Sequence, residues 1–592
     1  MKKLISLFLA FTLLIGCMAV FSGCGKEEGD EGADILVYLS DIVYDLDPTD
    51  YIVDDNEAKL LNLLYEPLFT LNARGKLKMA AAKNYRVDRK ERTITVNLRE
   101  SYWSDGTAVQ AKDFVYAWRE RILNPANANP AAALLYDIEN ALEVKNGTKD
   151  LYDLGVYAKD IDTLEIKYRE GADVDQLLKN LASVATAPVY PDTVSKIPDF
   201  WSKMIDNSMT NGPFALKIYK IEHDEKDNSV ITGAQFSLTR NVGYHQNPES
   251  KRADRHVTPS TLVTFWEGTG AVELTYSEIE NKTMFFMGAA TADERAEFKK
   301  KATVKDMLST YCYAFNTTNE MFADEHIRRA LSLALDREAM QEAVVFGTAA
   351  EGFFPGTEGL ISIQADLSAA QAELAKSSVT KRSFTLTVNN DEDSLILAEL
   401  AKTAWEALGF TVTVQAVTYN LEHVLVDVSN NEDAYIKDST VQALVKDAAV
   451  GERDFDVIGL DWQMYSTDKF VSLCAFTSDM NGNGRDAHAD ACHTSITGWT
   501  SESYDKLLKD AYAKTDDKKG RAAILDSAEK ALVEACPVVP VLYNQNYAFI
   551  GNKLKKVSAN GFGYFDFTKA KLKGYTKYRI DDILASKEEA AD

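Results

Sequence analysis

After residue 21, no stretch of this 592-residue chain is long and apolar enough to cross a bilayer, so no further membrane span is expected. Histidine is scarce, with seven residues scattered along the chain. There is no glycine-flanked serine elbow, no pair of histidines around a glutamate, and no glycine loop shaped to cradle phosphate. With no evident base–nucleophile set, an enzyme is not expected. Cations are also outnumbered: 65 Lys and Arg stand against 90 Asp and Glu, a formal net charge of −25. That balance argues against nucleic acid or an anionic lipid surface as the main partner. It says little about a small ligand, which meets a pocket rather than the average surface. No internal repeat is present, and only residues 25–33 are of low complexity.

The N-terminus is what departs from this plain composition. Lys2 and Lys3 precede an apolar run from Leu4 to Phe21, and the small residues Ser22 and Gly23 lead to Cys24. This is the order of a secretory signal, residues 1–23. Phe21-Ser22-Gly23-Cys24 resembles a bacterial lipobox, in which the cysteine is acylated and becomes the first mature residue. Leu14-Ile15-Gly16-Cys17 is a looser rival. Cys24 is preferred because a polar Gly/Glu/Asp tether, 24–33, begins there, whereas cleavage at Cys17 leaves an apolar overhang. Two acyl chains hold a soluble domain stably at a surface where one does not. Four cysteines remain: Cys312, Cys474, Cys492 and Cys536. Outside the cytoplasm a disulfide is permitted, and Cys474–Cys492 would pin the ends of a Gly/Asn-rich loop. Cys312 and Cys536 read as buried thiols in strand-like contexts.

Helical and strand patterns alternate throughout, favouring an α/β architecture. Strands are expected at 35–40, 92–100, 310–318, 383–390, 410–417 and 536–543, and helices at 56–69 and 397–409. Asp113 and Asp324 are expected to cap helices carrying Phe114, Trp118 and Ile122, and Ile327, Leu331 and Leu335. Two more helices should lie within 500–535. These elements suggest two α/β lobes, with crossings near residues 307 and 540. If the last strand rejoins the first lobe, the connection is double and the lobes can hinge.

The segment "TVNLRESYWSDGTAVQAKDFVYAWRERIL" (95–123) closely resembles the signature of the extracellular solute-binding proteins of family 5, the oligopeptide- and dipeptide-binding receptors of ABC importers. "LDPTDYIVDDNEAKLLNLLYEPLF" (46–69), "NGPFALKIY" (211–219), "LTRNVGYHQ" (238–246), "YAFNTTNEMFADEHIRRALSLALDRE" (313–338) and "CPVVPVLY" (536–543) agree in order. The resemblance implies a two-lobed periplasmic-binding-protein-like fold with mixed sheets. Lobe I would comprise 34–306 plus 541–592, with a subdomain about 75–210, and lobe II 307–540. It implies a lipid-anchored monomer on the extracytoplasmic face of a bacterial membrane, delivering an oligopeptide to permease subunits, without a cofactor. A non-peptide cargo (a metal chelate, haem or oligosaccharide) or a peptide-sensing lipoprotein are the alternatives. Trp103, Asp105, Gly106, Asp113, Asn316, Arg328, Arg329 and Asp336 would be determinants of the scaffold.

In this family an acidic residue of the second lobe pairs with the peptide's α-ammonium, a charge too costly to bury alone. The corresponding stretch here is 461–499, where "MYSTDK" replaces the usual acidic, proline-containing run. Asp479 is the first candidate partner, with Asp486 and Asp490 as rivals. Trp462, Tyr465 and Trp499 are candidates for the pocket wall, although a tryptophan more often fills the core or its edge. Asp479, Asn481, Asn483, Gly484 and Asp490 also fall on a calcium-loop template, against which stands a simple Asn/Gly surface turn. His488, Cys492 and His493 cluster as weaker transition-metal candidates. Finally, 424–455 exceeds the family length and 260–300 lacks a usual turn. Both stretches could reshape the cleft or decorate the surface.

Overall fold

The computed structural model describes residues 32–39, 46–196, 201–202, 209–223, 231–267, 275–417, 440–486, 489, 491–514 and 517–574. Cys17, Cys24, His488 and Asp490 lie outside them, as do 424–439 and the final residues from 575. Eleven strands form the main sheet: β1 (Asp34–Tyr38), β2 (Phe214–His223), β3 (Ile231–Arg240), β4 (Thr261–Glu267), β5 (Phe286–Met287), β6 (Ala302–Phe315), β7 (Thr348–Ala349), β8 (Ser383–Asn389), β9 (Thr411–Val417), β10 (Val457–Gln463) and β11 (Val538–Ile550). Their spatial order is β9-β8-β10-β6-β11-β5-β1-β4-β3-β2, with β7 also pairing β11. β8 runs parallel to β9 in unbroken register from Ser383–Thr411 to Asn389–Val417, as a strand–helix–strand crossover requires.

The architecture is the two-lobed mixed α/β arrangement. The two long antiparallel strands β6 and β11 lie side by side in the middle of the main sheet. At one end they pair Ala302 with Phe549, at the other Ala314 with Val538. Their register breaks between the Asp306–Gln545 and Thr310–Tyr543 pairs, where three residues of β6 face the single Asn544 of β11. A second break, between Tyr311 and Cys312, coincides with Pro540, which has no N–H to give the ladder. A separate antiparallel sheet, Ala82–Asp88, Thr93–Leu98, Thr163–Lys167 and Val156–Ala158, lies within the stretch 75–210.

The residues read as scaffold determinants hold backbone in place. Trp103, fully buried, donates its indole N–H to Asp113 Oδ2 at 3.1 Å. Asp113 is not the helix cap itself: it is the third residue of a capping box opened by Gln110, whose backbone N–H it accepts at 2.9 Å. Asp324 caps Glu325–Leu333 and Asp336 caps Arg337–Val344. The helix expected over 397–409 begins earlier, at Glu392 after the cap Asp391. Arg328 donates to the carbonyls of Phe322 and Ala535, and Arg329 to that of Glu534 at 2.6 Å. Arg337, 1% exposed, donates to the carbonyls of Ser332, Ser362 and Pro540. Burial lowers its pKa to about 10, which still leaves it charged at neutral pH.

Replacing Arg337 by Met removes the guanidinium donors from those carbonyls, of which Ser332 keeps a backbone donor in Leu335 N–H. We expect a loss of about 2–4 kcal/mol in urea unfolding, read as a lower midpoint at unchanged slope.

Candidate functional site

The break between β6 and β11 gathers polar groups from segments far apart in the chain. Asn544 Nδ2 lies 2.7 Å from Ser309 Oγ on β6, 2.7 Å from Asp461 Oδ1 on β10 and 2.8 Å from Asp55 Oδ2. Asp55 opens the helix Asp55–Leu64, which Asp54 caps by accepting the Asn56 N–H at 2.7 Å. Gln463, the last residue of β10, donates to Asp55 Oδ1 and accepts from the Tyr564 hydroxyl at 2.9 Å. Asp54, Asp55 and Asp461 each keep part of their surface open. Loss of solvent raises all three carboxyl pKa values, Asp54 to about 7, and the neighbouring Asp55 raises that of Asp461 further.

Just before this helix, residues 49–53 run between the lobes, with Tyr51, Ile52 and Val53 buried. The Tyr465 hydroxyl accepts the Ile52 N–H at 3.0 Å and donates to the Ile52 carbonyl at 3.2 Å. One phenol thus satisfies both backbone groups of a single residue. Tyr465 does so from φ 56°, a left-handed backbone unusual for an aromatic residue and a mark of local strain. Tyr51 donates to Asn483 Oδ1, and Gln442 donates to the Tyr51 carbonyl at 3.0 Å. Lys446 pairs with Asp50 at 2.9 Å. Gln442 and Lys446 belong to the helix Val441–Ala449, so the described part of the long 424–455 stretch reaches the junction of the lobes. The other unusual stretch also meets its neighbour: Arg295, on the helix Ala292–Phe298, pairs with Asp393 and Glu392 at the start of Glu392–Glu406.

The Asn/Gly-rich loop docks backbone to backbone. Gly482 (φ 80°) and Gly484 (φ 69°) are left-handed, and a Cβ on either would stand 2.0 Å from a carbonyl oxygen, of Asn129 and Pro125 respectively. In return, Asn129 N donates to Gly482 O at 2.7 Å and Arg485 N to Pro125 O at 2.9 Å. The receiving turn is held by the fully buried Lys145, whose ammonium donates to the carbonyls of Ile122, Asn124 and Asn127. Burial lowers the pKa of Lys145 to about 7.

The profile described as "Bacterial extracellular solute-binding proteins, family 5 Middle" matches residues 76–484. The chain belongs to this family. Among curated relatives it is 27% identical to the periplasmic oligopeptide-binding protein OppA of Salmonella typhimurium over 509 residues, 83% of each chain. Among solved structures, Haemophilus influenzae OppA in complex with RPPGFSPFR superposes with a TM-score of 0.71 at 21% identity, covering 92% of this chain and all of that one. The Escherichia coli murein tripeptide binding protein MppA gives 0.71 at 22% identity, covering 92% of this chain and 99% of that one. The unliganded open form of MppA gives 0.52 at 23% identity over the same shares.

In this family 5 receptor the five residues singled out from sequence do not form one site. Trp462 stacks on Phe476 (centroids 4.8 Å apart) and meets Phe353 edge-on, at the back of the junction. Tyr465 faces Ile52, as described above. Asp479 pairs with Lys509 at 2.9 Å, while its Oδ1 is shut from solvent without a hydrogen-bond partner among the described residues. Asp486 is 77% exposed and pairs with His493, and Trp499 packs edge-on against Tyr504. Two oxygens of the calcium template are otherwise engaged: Asn481 Oδ1 accepts the Asn483 N–H at 2.8 Å, and Asn483 Oδ1 accepts from Tyr51. No group of three His, Cys, Asp or Glu converges on a metal position among the described residues. The Cys474–Cys492 bridge is not formed. Both thiols are free, Cys474 buried and Cys492 directed at Asn146 Oδ1 at 3.5 Å. Sequence reading missed Asp55, Asp461 and Asn544. The available signal was an acid inside the apolar strand "VIGLDW".

Gly482→Ala should lower stability by about 2 kcal/mol or more, because it adds a clash to an unfavourable φ. Gly451→Ala (φ 99°, nearest foreign atom at 3.7 Å) carries the strain alone and should cost less in the same thermal melts.

Proposed function

We propose that this chain is an extracytoplasmic receptor, anchored through Cys24, that encloses an oligopeptide between its lobes and delivers it to an ABC-type importer without chemical change. Residues 34–306 plus 541–592 would form one lobe and 307–540 the other, hinging at the break between β6 and β11. The observation that carries the reading is the junction itself. Hydrogen-bonding side chains from both lobes face each other there, and Tyr465 engages the N–H and C=O of one residue together. An extended peptide presents that same pair of groups at each residue, and binding by strand-like pairing draws on them. The names of the relatives and the nonapeptide in the Haemophilus influenzae complex support the cargo class.

In this reading Trp462 and Tyr465 wall the guest, while Asp479, Asp486 and Trp499 shape the loop that docks onto residues 125–130. Acylation at Cys24 would keep the receptor beside its permease, and the acidic tether would leave the lobes free to turn.

The mature chain should be stabilised by di- to pentapeptides. At 100 times Kd a ligand adds about 2.7 kcal/mol, a melting shift of a few degrees. If peptides leave the melting temperature unmoved while oligosaccharides, haem or metal chelates raise it, the peptide assignment is wrong. Separately, Cys24→Ala should move the protein from the membrane fraction to the soluble extracytoplasmic fraction. Retention at the membrane would reject the anchor.

A further inference from the structure

The charge of this acidic chain is unevenly placed. Between Gly551 and Gly574 stand six lysines and a single acid, Asp566. Lys553-Leu554-Lys555 and Lys571-Leu572-Lys573 lie antiparallel, with Leu554 against Leu572 and Lys555 against Lys571. The Lys573 N–H donates to the Lys553 carbonyl at 3.0 Å. Strand side chains alternate, so the two leucines turn inward, 3% and 5% exposed, and the four lysines share the outer face. Lys553 is half-buried and the other three are exposed. Like charges set opposite each other weaken such a ribbon.

Further cations join them. Lys569 donates its ammonium to the carbonyls of Arg255 and His256 at 3.1 and 2.7 Å, which brings the exposed Arg255 alongside. Burial lowers the pKa of Lys569, and the nearby charges of Lys556 and Lys571 lower it further, against the pull of Asp566 and Asp254. Both acids are engaged, Asp254 by Arg252 at 3.0 Å and Asp566 by the Thr568 N–H at 2.8 Å. Among the described residues, Lys553, Lys555, Lys556, Lys571, Lys573 and Arg255 pair with no carboxylate. Lysine on a sheet edge also discourages pairing with a second chain, but that purpose does not call for cations gathered from three segments.

The patch borders the point where the folded chain begins. The Thr258 N–H donates to the Thr568 carbonyl at 2.8 Å and the Ser260 N–H to the Ala33 carbonyl at 2.9 Å, beside the pairing of Asp34 on β1 with Thr261 on β4. Four residues lead from His256 to Ser260, so the backbone that holds Lys569 lies within about 15 Å of the backbone that holds Ala33. From Ala33 back to Cys24 the chain spans at most about 32 Å.

We propose that this lysine patch lies against the anionic phospholipid headgroups of the membrane and sets the orientation of the receptor on it. The inference rests on the reading of Cys24 as the anchor, which brings the patch within reach of the bilayer. Such a surface repels the chain as a whole, at a formal net charge of −25, and attracts the patch, so the two together select one orientation. The attraction is screened within about 8 Å at physiological salt, so it turns a body that the acyl chains retain.

The test is sedimentation of the mature chain carrying Cys24→Ala with lipid vesicles. In about 50 mM salt it should bind vesicles holding about 30% phosphatidylglycerol and not pure phosphatidylcholine, and about 0.5 M salt should release it. Lys555→Gln with Lys571→Gln should weaken binding about tenfold or more, since each lysine near such a surface contributes about fivefold. Lys381→Gln with Lys519→Gln, exposed lysines of other segments, removes the same charge and should leave binding unchanged. Circular dichroism confirms the fold of each variant. No binding to the anionic vesicles, equal binding to both lipids, or equal loss in the two double variants overturns the proposal. So does displacement by inorganic phosphate at matched ionic strength, which assigns the patch to free phosphate. Binding that emerges only after Glu27→Gln, Glu28→Gln, Asp30→Asn and Glu31→Gln assigns the patch to the acidic tether and also overturns it. If Cys24→Ala stays in the membrane fraction of cells after a salt wash while vesicle binding follows the lysines, the anchor falls and the patch stands.

Discussion

Everything in this molecule hangs on two strands that do not stop at a lobe boundary. β6 and β11 are paired at both ends and unpaired in the middle, and the mismatch of three residues against one is absorbed at Asn544. A ladder with continuous register is stiff, and a ladder interrupted once bends at the interruption. The side chains able to sense that bend are those that meet at the gap. Asp55 arrives on the helix Asp55–Leu64, Asp461 on β10, and Ser309 and Asn544 on the interrupted strands themselves. Mechanical pivot and polar contact therefore share one location.

Around this pivot the lobes touch through a few contacts of different kinds. The Gly482–Gly484 loop fits backbone against backbone, Tyr465 captures the backbone of Ile52, and Arg295 meets the acidic start of the helix Glu392–Glu406. None of these three is apolar, although apolar packing joins the same parts of the chain elsewhere, with the buried Pro130–Leu135 against the buried Phe470–Cys474. Polar contacts of this type can be exchanged for water or for a guest at modest cost.

Much of the fold was legible in the sequence. The alternation of "RTITVNLRE", the Asp324 cap and the strand–helix–strand run from 383 to 417 all follow from periodicity and capping chemistry, which are local. Boundaries slipped where tertiary contacts prolonged an element, as with β6 and β11, each much longer than its apolar stretch suggested. The site was far less legible, for a physical reason. Asp461 is conspicuous inside an apolar strand, but its partners lie about 400 residues earlier and about 80 later in the chain. Asp479 and the calcium template stood out because spacing is visible in sequence. Lys509 and the Asn481–Asn483 hydrogen bond, which occupy those oxygens, are not. The stretches 260–300 and 424–455 stand out as departures, and their described parts reach distant segments, Arg295 to Glu392 and Asp393 and Gln442 and Lys446 to Tyr51 and Asp50.

The docking of the Asn/Gly loop has one more consequence. Gly482 and Gly484 approach main-chain oxygens of Asn129 and Pro125, so the complementarity is between chain paths rather than between side-chain shapes. Such a fit is lopsided in its tolerance of change. The receiving turn can exchange side chains wherever its trace is kept, whereas the two positions that press against it accept nothing larger than hydrogen.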